Sequence, residues 1–252
     1  MFDTLLDKVE EDFGEDHLEF ATVSYELGHA LYLNFNSGHD DREKEIVLED
    51  SLSLMAKAVK ILYTHLETSK EADTSQIVWI KEQLPRMLVG IGSVFSFMGK
   101  HAEAIDSCLN ADPFRQEASD ALKKENTIGS LRAKRLSVEV HVLIAGELLE
   151  CDFSKDVIVE DTNHVIVKAK EIRGLAQNYY DQAKKLFQDV VYMMANLGAT
   201  GKGDKSCLQS EKVDICHLAT MLMEAGMSLA QRVDEDIELD GKMKSKKART
   251  MK

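Results

Sequence analysis

Residues 39–45 read "HDDREKE", a histidine followed by clustered carboxylates. A metal ion held there would want a second imidazole or a thiolate at ligand spacing, and none is near. Asp40, Asp41, Glu43 and Glu45 therefore read as a solvated acidic stretch that attracts a basic partner. Residues 198–206, "GATGKGDKS", invite a phosphate-loop reading. Their spacing departs from G-x-x-x-x-G-K-[ST], and no strand precedes them, so they read as a connection between helices. H-E-x-x-H, G-x-S-x-G and paired C-x-x-C motifs do not occur, and Cys108, Cys151, Cys207 and Cys216 are scattered. The chemistry expected is therefore binding, with no catalytic site, no metal and no cofactor. One further set could bind: Thr22, Tyr25, His29 and Tyr32 recur every three or four residues, which puts two phenols and an imidazole on one helix face.

The elements that must position these residues are helices. The 252 residues hold 2 prolines and 14 glycines, and 30% are charged, which disfavours sandwiches, barrels and disorder. Apolar residues recur at helical spacing, as in "LSLMAKAVKIL" (52–62) and "ICHLATMLMEAGMSLA" (215–230). Met193, Met194, Met221 and Met223 fall on that spacing and are expected in the core. Only "DVIVED" (156–161) and "HVIVKA" (164–169) resemble strands, and they could equally be helix extensions or loop. No run of eighteen apolar residues occurs, so no membrane span is expected. Scattered cysteines suit a reducing compartment.

The small residues follow a repeat code. In a tetratricopeptide unit two antiparallel helices approach closely at small residues. Residues 85–111 fit it: Leu88, Ile91, Gly92 and Phe95 in a first helix, Gly99 at the corner, and Ala104, Cys108 and Ala111 in a second. A second copy uses Leu27, Gly28 and Leu31, then Ser51, Met55 and Ala58, with an acidic insert over about 36–49. A third uses Ile144, Ala145 and Leu148, then Ala183, Phe187 and Val190, with a second insert over about 150–177. "FDTLLDKVEEDF" (2–13) reads as a second helix lacking its first, and a helix over about 211–237 reads as a cap. The expected fold is all-α: a tetratricopeptide-like helical-hairpin array over residues 1–240 with a C-terminal capping helix. Gly241 is expected to end that helix, and 241–252 to be a flexible basic tail. At the positions that line the inner face of such an array stand Thr22, Tyr25, His29 and Tyr32, then Arg86, Val89, Ser93 and Ser96, then Glu139, Val142, Gly146 and Leu149. Tyr25 and His29 occupy the places where a carboxylate clamp for chaperone tails would need Lys and Asn, so that adaptor role is disfavoured.

Charge adds a direction. Acidic residues outnumber basic ones by 44 to 31, for a net charge of −13. The final eleven residues, "KMKSKKARTMK", carry six basic side chains and no acid, so the body without them stands at −19. Such a body repels nucleic acid and attracts basic protein.

Acid-interrupted repeats, a capping helix and a basic tail together resemble the nuclear autoantigenic sperm protein family of interrupted-tetratricopeptide histone chaperones. The segments that carry the likeness are "DFGEDHLEFATVSYELGHAL" (12–31), "LMAKAVKIL" (54–62), "LPRMLVGIGSVFSFMGKHAEAIDSCL" (84–109) and "VEVHVLIAG" (138–146). The last is similar to the family's E-x-H-Y-x-L-G, with Val142 in place of the tyrosine. The resemblance implies a nuclear, shuttling carrier of histone H3 or H3–H4, with Tyr25, His29, Tyr32, Glu139 and His141 in the groove beside the acidic insert. It also implies no direct contact with nucleic acid or membrane, and it leaves a homodimer open. Lys244, Lys246, Lys247 and Arg249 form a K-x-K-K-x-R cluster that resembles a nuclear import signal read by importin. The alternative is a generic tetratricopeptide scaffold or a regulatory subunit of a larger complex.

Overall fold

The computed structural model describes the backbone of residues 2–34, 41–68, 74–122, 127–151, 157–159, 165–167, 171–200 and 205–250. Side chains are described over 4–34, 44–68, 75–114, 127–151, 171–200 and 205–232. The described chain is all-α apart from one short ribbon. It divides into two compact units, one holding residues 1–125 and 156–167, the other 126–155 and 168–252.

The first unit contains α1 (Phe2–Phe13), α2 (Leu18–Asn34), α3 (Asp41–Thr68), α4 (Thr74–Phe97) and α5 (His101–Leu122). α2 packs on α3, α4 packs on α5, and α4 also touches α3 and α2. The small residues set these crossings. A Cβ on Gly28 would lie 2.7 Å from Met55 Cγ and 2.8 Å from the Ser51 carbonyl, so only glycine lets α2 approach α3 this closely. The Ser51 hydroxyl then donates to the Gly28 carbonyl at 2.7 Å. At the α4–α5 crossing a Cβ on Gly92 would lie 3.0 Å from Cys108 Sγ and 3.2 Å from the Ala104 carbonyl. Between them Gly99 takes a positive φ of 69°, and the Gly99 and Lys100 amides close the end of α4 on the carbonyls of Ser96 and Phe95.

Three boundaries differ from the sequence expectation. α4 begins at Thr74, so Pro85 lies inside the helix rather than at its start. The acidic insert is largely helical, because residues 41–49 form the first turns of α3. The two Val-Ile-Val segments are strands: β1 (Val157–Val159) pairs antiparallel with β2 (Val165–Val167), Ile158 opposite Ile166. Their β-branched residues favour the extended backbone over a helix extension. β1 contacts α5, so the ribbon belongs to the first unit.

The second unit is three helices, α6 (Ile128–Glu150), α7 (Ile172–Thr200) and α8 (Lys205–Thr250). Thr127 caps α6: its hydroxyl accepts from the Ser130 amide at 3.2 Å, and the Ser130 hydroxyl accepts from the Thr127 amide at 3.1 Å. α6, α7 and α8 share a core that includes Leu131, Val138, Val142, Ala183, Val190 and Leu218. The backbone of α8 runs through Gly241 to Thr250, so the helix does not stop at Gly241 as expected. One glycine costs a helix about 1 kcal/mol, and the Glu, Leu, Lys and Met around it are good helix formers. A second correction concerns Met223. It stands 60% exposed, because the core face of α8 is Leu218, Leu222, Ala225 and Leu229, and Met223 falls on the opposite side of the helix.

Candidate functional site: an aromatic row across two helices

Four rings make a continuous row in the first unit. Tyr25 and His29 stack with centroids 5.9 Å apart and planes 7° from parallel. His29 meets Tyr32 at 6.2 Å, and Tyr32 meets Phe97 edge-on at 6.1 Å. The first three rings come from successive turns of α2, and Phe97 comes from the end of α4. α2 and α4 run side by side in the same sense, since Tyr25 reaches Arg86 while Tyr32 reaches Phe97.

The two ends of the row differ. Tyr25 is only 3% exposed, and its hydroxyl donates to the Arg86 carbonyl at 3.3 Å. That hydroxyl occupies the space a Cβ on Gly90 would need. Arg86 lies over the Tyr25 ring, 5.8 Å from its centroid, and pairs with Glu26 at 3.0 Å. Tyr25 therefore holds the helices together rather than offering a surface. His29 and Tyr32 are half-buried, Phe97 is 51% exposed, and Leu33, next in sequence to Tyr32, is exposed, so the open end is apolar. Burial between its neighbours lowers the His29 pKa, Glu26 pulls it back up, and Arg86 lowers it further. Burial also raises the Tyr32 phenol, so both rings are neutral near neutral pH.

The structure thus brings Tyr25, His29 and Tyr32 together, as the spacing implied. Of the other positions expected on this face, Thr22, Ser93 and Ser96 are half-buried and Val89 is buried. The face is aromatic and hydroxylic, and the Glu26 carboxylate that acts on His29 is tied to Arg86. Sequence reasoning missed Phe97 and Leu33, each a single residue beyond the positions counted. Of the acidic insert, Asp40 lies outside the described residues, as do the side chains of Asp41 and Glu43, while Glu45 is exposed. The side chains of Lys244, Lys246, Lys247 and Arg249 also lie outside the described residues.

In the second unit His141 is placed for structure. It is buried, with Nδ1 2.7 Å from the Ser137 carbonyl and Nε2 3.1 Å from Gln182 Oε1 on α7. Its ring also meets Tyr179 at 5.6 Å. Glu139 is half-buried two residues earlier, and Val142 lies in the core. A buried acid in this unit is Glu211, 2% exposed on α8. Its carboxylate lies 2.6 Å from Arg132 Nε and 3.2 Å from Arg135 Nε, while Arg135 also reaches Asp214 at 3.2 Å. These pairs pin α8 to α6. Cys151, buried at the end of α6, has its thiol pushed up to about 11 by desolvation and by Glu147 and Glu150, which keeps it protonated near neutral pH. Among the described residues no group of His, Cys, Asp and Glu could hold a metal ion. No family model, curated protein or solved structure matches the chain.

Proposed function

We propose that this chain is a histone chaperone built on a tetratricopeptide-like array, and that it carries histone H3 or H3–H4. The observation that carries the reading is the aromatic row on α2 and α4, open at Tyr32, Phe97 and Leu33 on a chain of net charge −13. Pairing of α2 with α3 and of α4 with α5 at the expected small residues supports the repeat architecture. In this mechanism an apolar histone segment packs on the open end of the row. Exposed carboxylates meet the basic histone surface and steer the encounter. Glu10, Glu11, Asp12 and Asp16 around the start of α2 belong to that set, with Glu45 on α3. The carboxylates suppress non-specific histone–DNA contact without competing with wrapped DNA for every phosphate.

The scarcity of acid among the described residues of the row favours one other reading, a scaffold whose row takes an uncharged helix from an unrelated protein. Binding of H3–H4 by the wild type and by the Tyr32→Ala/Phe97→Ala pair separates the two. Loss of two central aromatic anchors should weaken binding at least tenfold, about 1.4 kcal/mol or more. Helix content should be unchanged, because both side chains lie partly in solvent. Binding of unrelated basic proteins as tight as that of histones, or unchanged histone affinity in the double variant, would sink the proposal.

A further inference from the structure

We propose that the outer face of α8 joins two copies of this chain, pairing their α8 helices antiparallel about Thr220. The described part of α8 presents a second apolar stripe opposite its core face. Val213, Met223 and Met227 are 64%, 60% and 65% exposed, and Cys216 and Thr220 are exposed between them. The five positions step by three or four residues, so they form one line about 21 Å long on one side of the helix. Thr220 turns its hydroxyl back onto the Cys216 carbonyl at 3.2 Å, which leaves its methyl group to face outward. A stripe of this length on a helix already packed by its other face marks a contact surface rather than scattered apolar residues.

Charge selects the occupant. The described part of α8 carries Lys205, Lys212 and Arg232 against Glu211, Asp214 and Glu224, so it is neutral on a chain of −13. A basic partner gains no pull here, and a second acidic copy meets no repulsion along the stripe. The stripe is also self-complementary. When two α8 helices cross antiparallel at Thr220, Val213 meets Met227 of the second copy and Cys216 lies beside its Met223. On one flank the exposed His217 then faces Glu224 of the second copy, and the twofold repeats that pair. On the other flank Ala219 and Ala230 are exposed and small, which lets the helices approach. The same segment is also long and apolar enough to qualify by composition as a membrane span, so a lipid surface is the competing occupant.

The test uses the full chain, and it reads assembly rather than histone binding, so it stands or fails apart from the proposed function. Sedimentation equilibrium should give twice the 28.3 kDa chain mass at micromolar concentration. Met223→Glu should return the mass to that of one chain, with circular dichroism unchanged because the side chain is exposed. For register, Thr220→Cys is introduced with Cys207 and Cys216 changed to Ser. Mild oxidation should then link two chains through residue 220, and Val213→Cys in the same background should not form that link. A wild type that sediments as one chain overturns the proposal, whether or not it floats with phosphatidylcholine vesicles. So does a Met223→Glu chain that still sediments as two, and so does a link at residue 213 with none at 220.

Discussion

His29 sits between two phenol rings, and its folded form is the uncharged one. Burial is the main reason, and the Arg86 guanidinium adds to it against the opposing pull of Glu26. A histidine whose pKa is lower in the folded chain than its ordinary 6.5 takes up its proton first in the unfolded chain. Its contribution to stability is therefore complete above 6.5 and is lost as pH falls from there through the folded value. Denaturation midpoints taken between roughly pH 7 and 5 should decline more steeply in the wild type than in His29→Gln. Parallel slopes for the two proteins would show that the ring is as free to charge in the fold as outside it. The three α2 rings were legible in the sequence because helical periodicity alone puts residues 25, 29 and 32 on one face. The role of His141 was not, since Ser137 lies one turn away but Gln182 arrives from a helix 41 residues on. Nothing in local spacing announces such a partner.

Glycines inside the helices fall into two kinds, and the space around each Cβ position separates them. Gly28 faces a carbonyl and a methionine at under 3 Å, so Gly28→Ala must push α2 off α3. It should cost about 1–3 kcal/mol. Gly146, also inside a helix, has nothing within 4 Å of its Cβ position, and Gly146→Ala should add about 0.5–1 kcal/mol by helix propensity alone. Urea midpoints should move in opposite directions for the two variants. Movement in the same direction would mean that the α2–α3 crossing does not sit at Gly28. These crossings could be read from the sequence because close approach demands small residues at fixed offsets. The lengths of the helices could not. α4 gains eleven residues before Pro85, whose cost of about 3 kcal/mol is offset by packing of buried residues such as Ile80 and Leu84, and α8 passes Gly241, whose cost is about 1 kcal/mol. The ribbon was visible as two β-branched triplets, but its packing against α5 depends on contacts more than thirty residues apart.

For the whole molecule the dominant quantity is charge, and it acts at a distance. If the chain carries histones as proposed, changing Asp40, Asp41, Glu43 and Glu45 together to their amides should slow histone association and flatten its dependence on salt, while helix content stays the same. If the association rate and its salt slope both hold, the acidic stretch is a spacer and the rest of the chain supplies the attraction. Removing residues 242–252 takes away six positive charges and the K-x-K-K-x-R cluster. If that cluster addresses the chain to importin, the truncated protein should move from nucleus to cytoplasm with its histone affinity nearly unchanged. A truncated chain that stays nuclear and binds histone more tightly would instead make the basic end a competitor for the same surface.

The ribbon has a consequence for synthesis. It belongs to the first unit, yet it is encoded between α6 and α7 of the second. A ribosome therefore releases α6 before the first unit has received its last piece, and α6 must wait in turn for α7. Neither unit can be finished before the other has begun. No single cut divides the gene into two halves that each fold complete. A protease nick near residue 125 would leave the first five helices without their ribbon, whereas the three helices of the second unit would still be present on the other fragment.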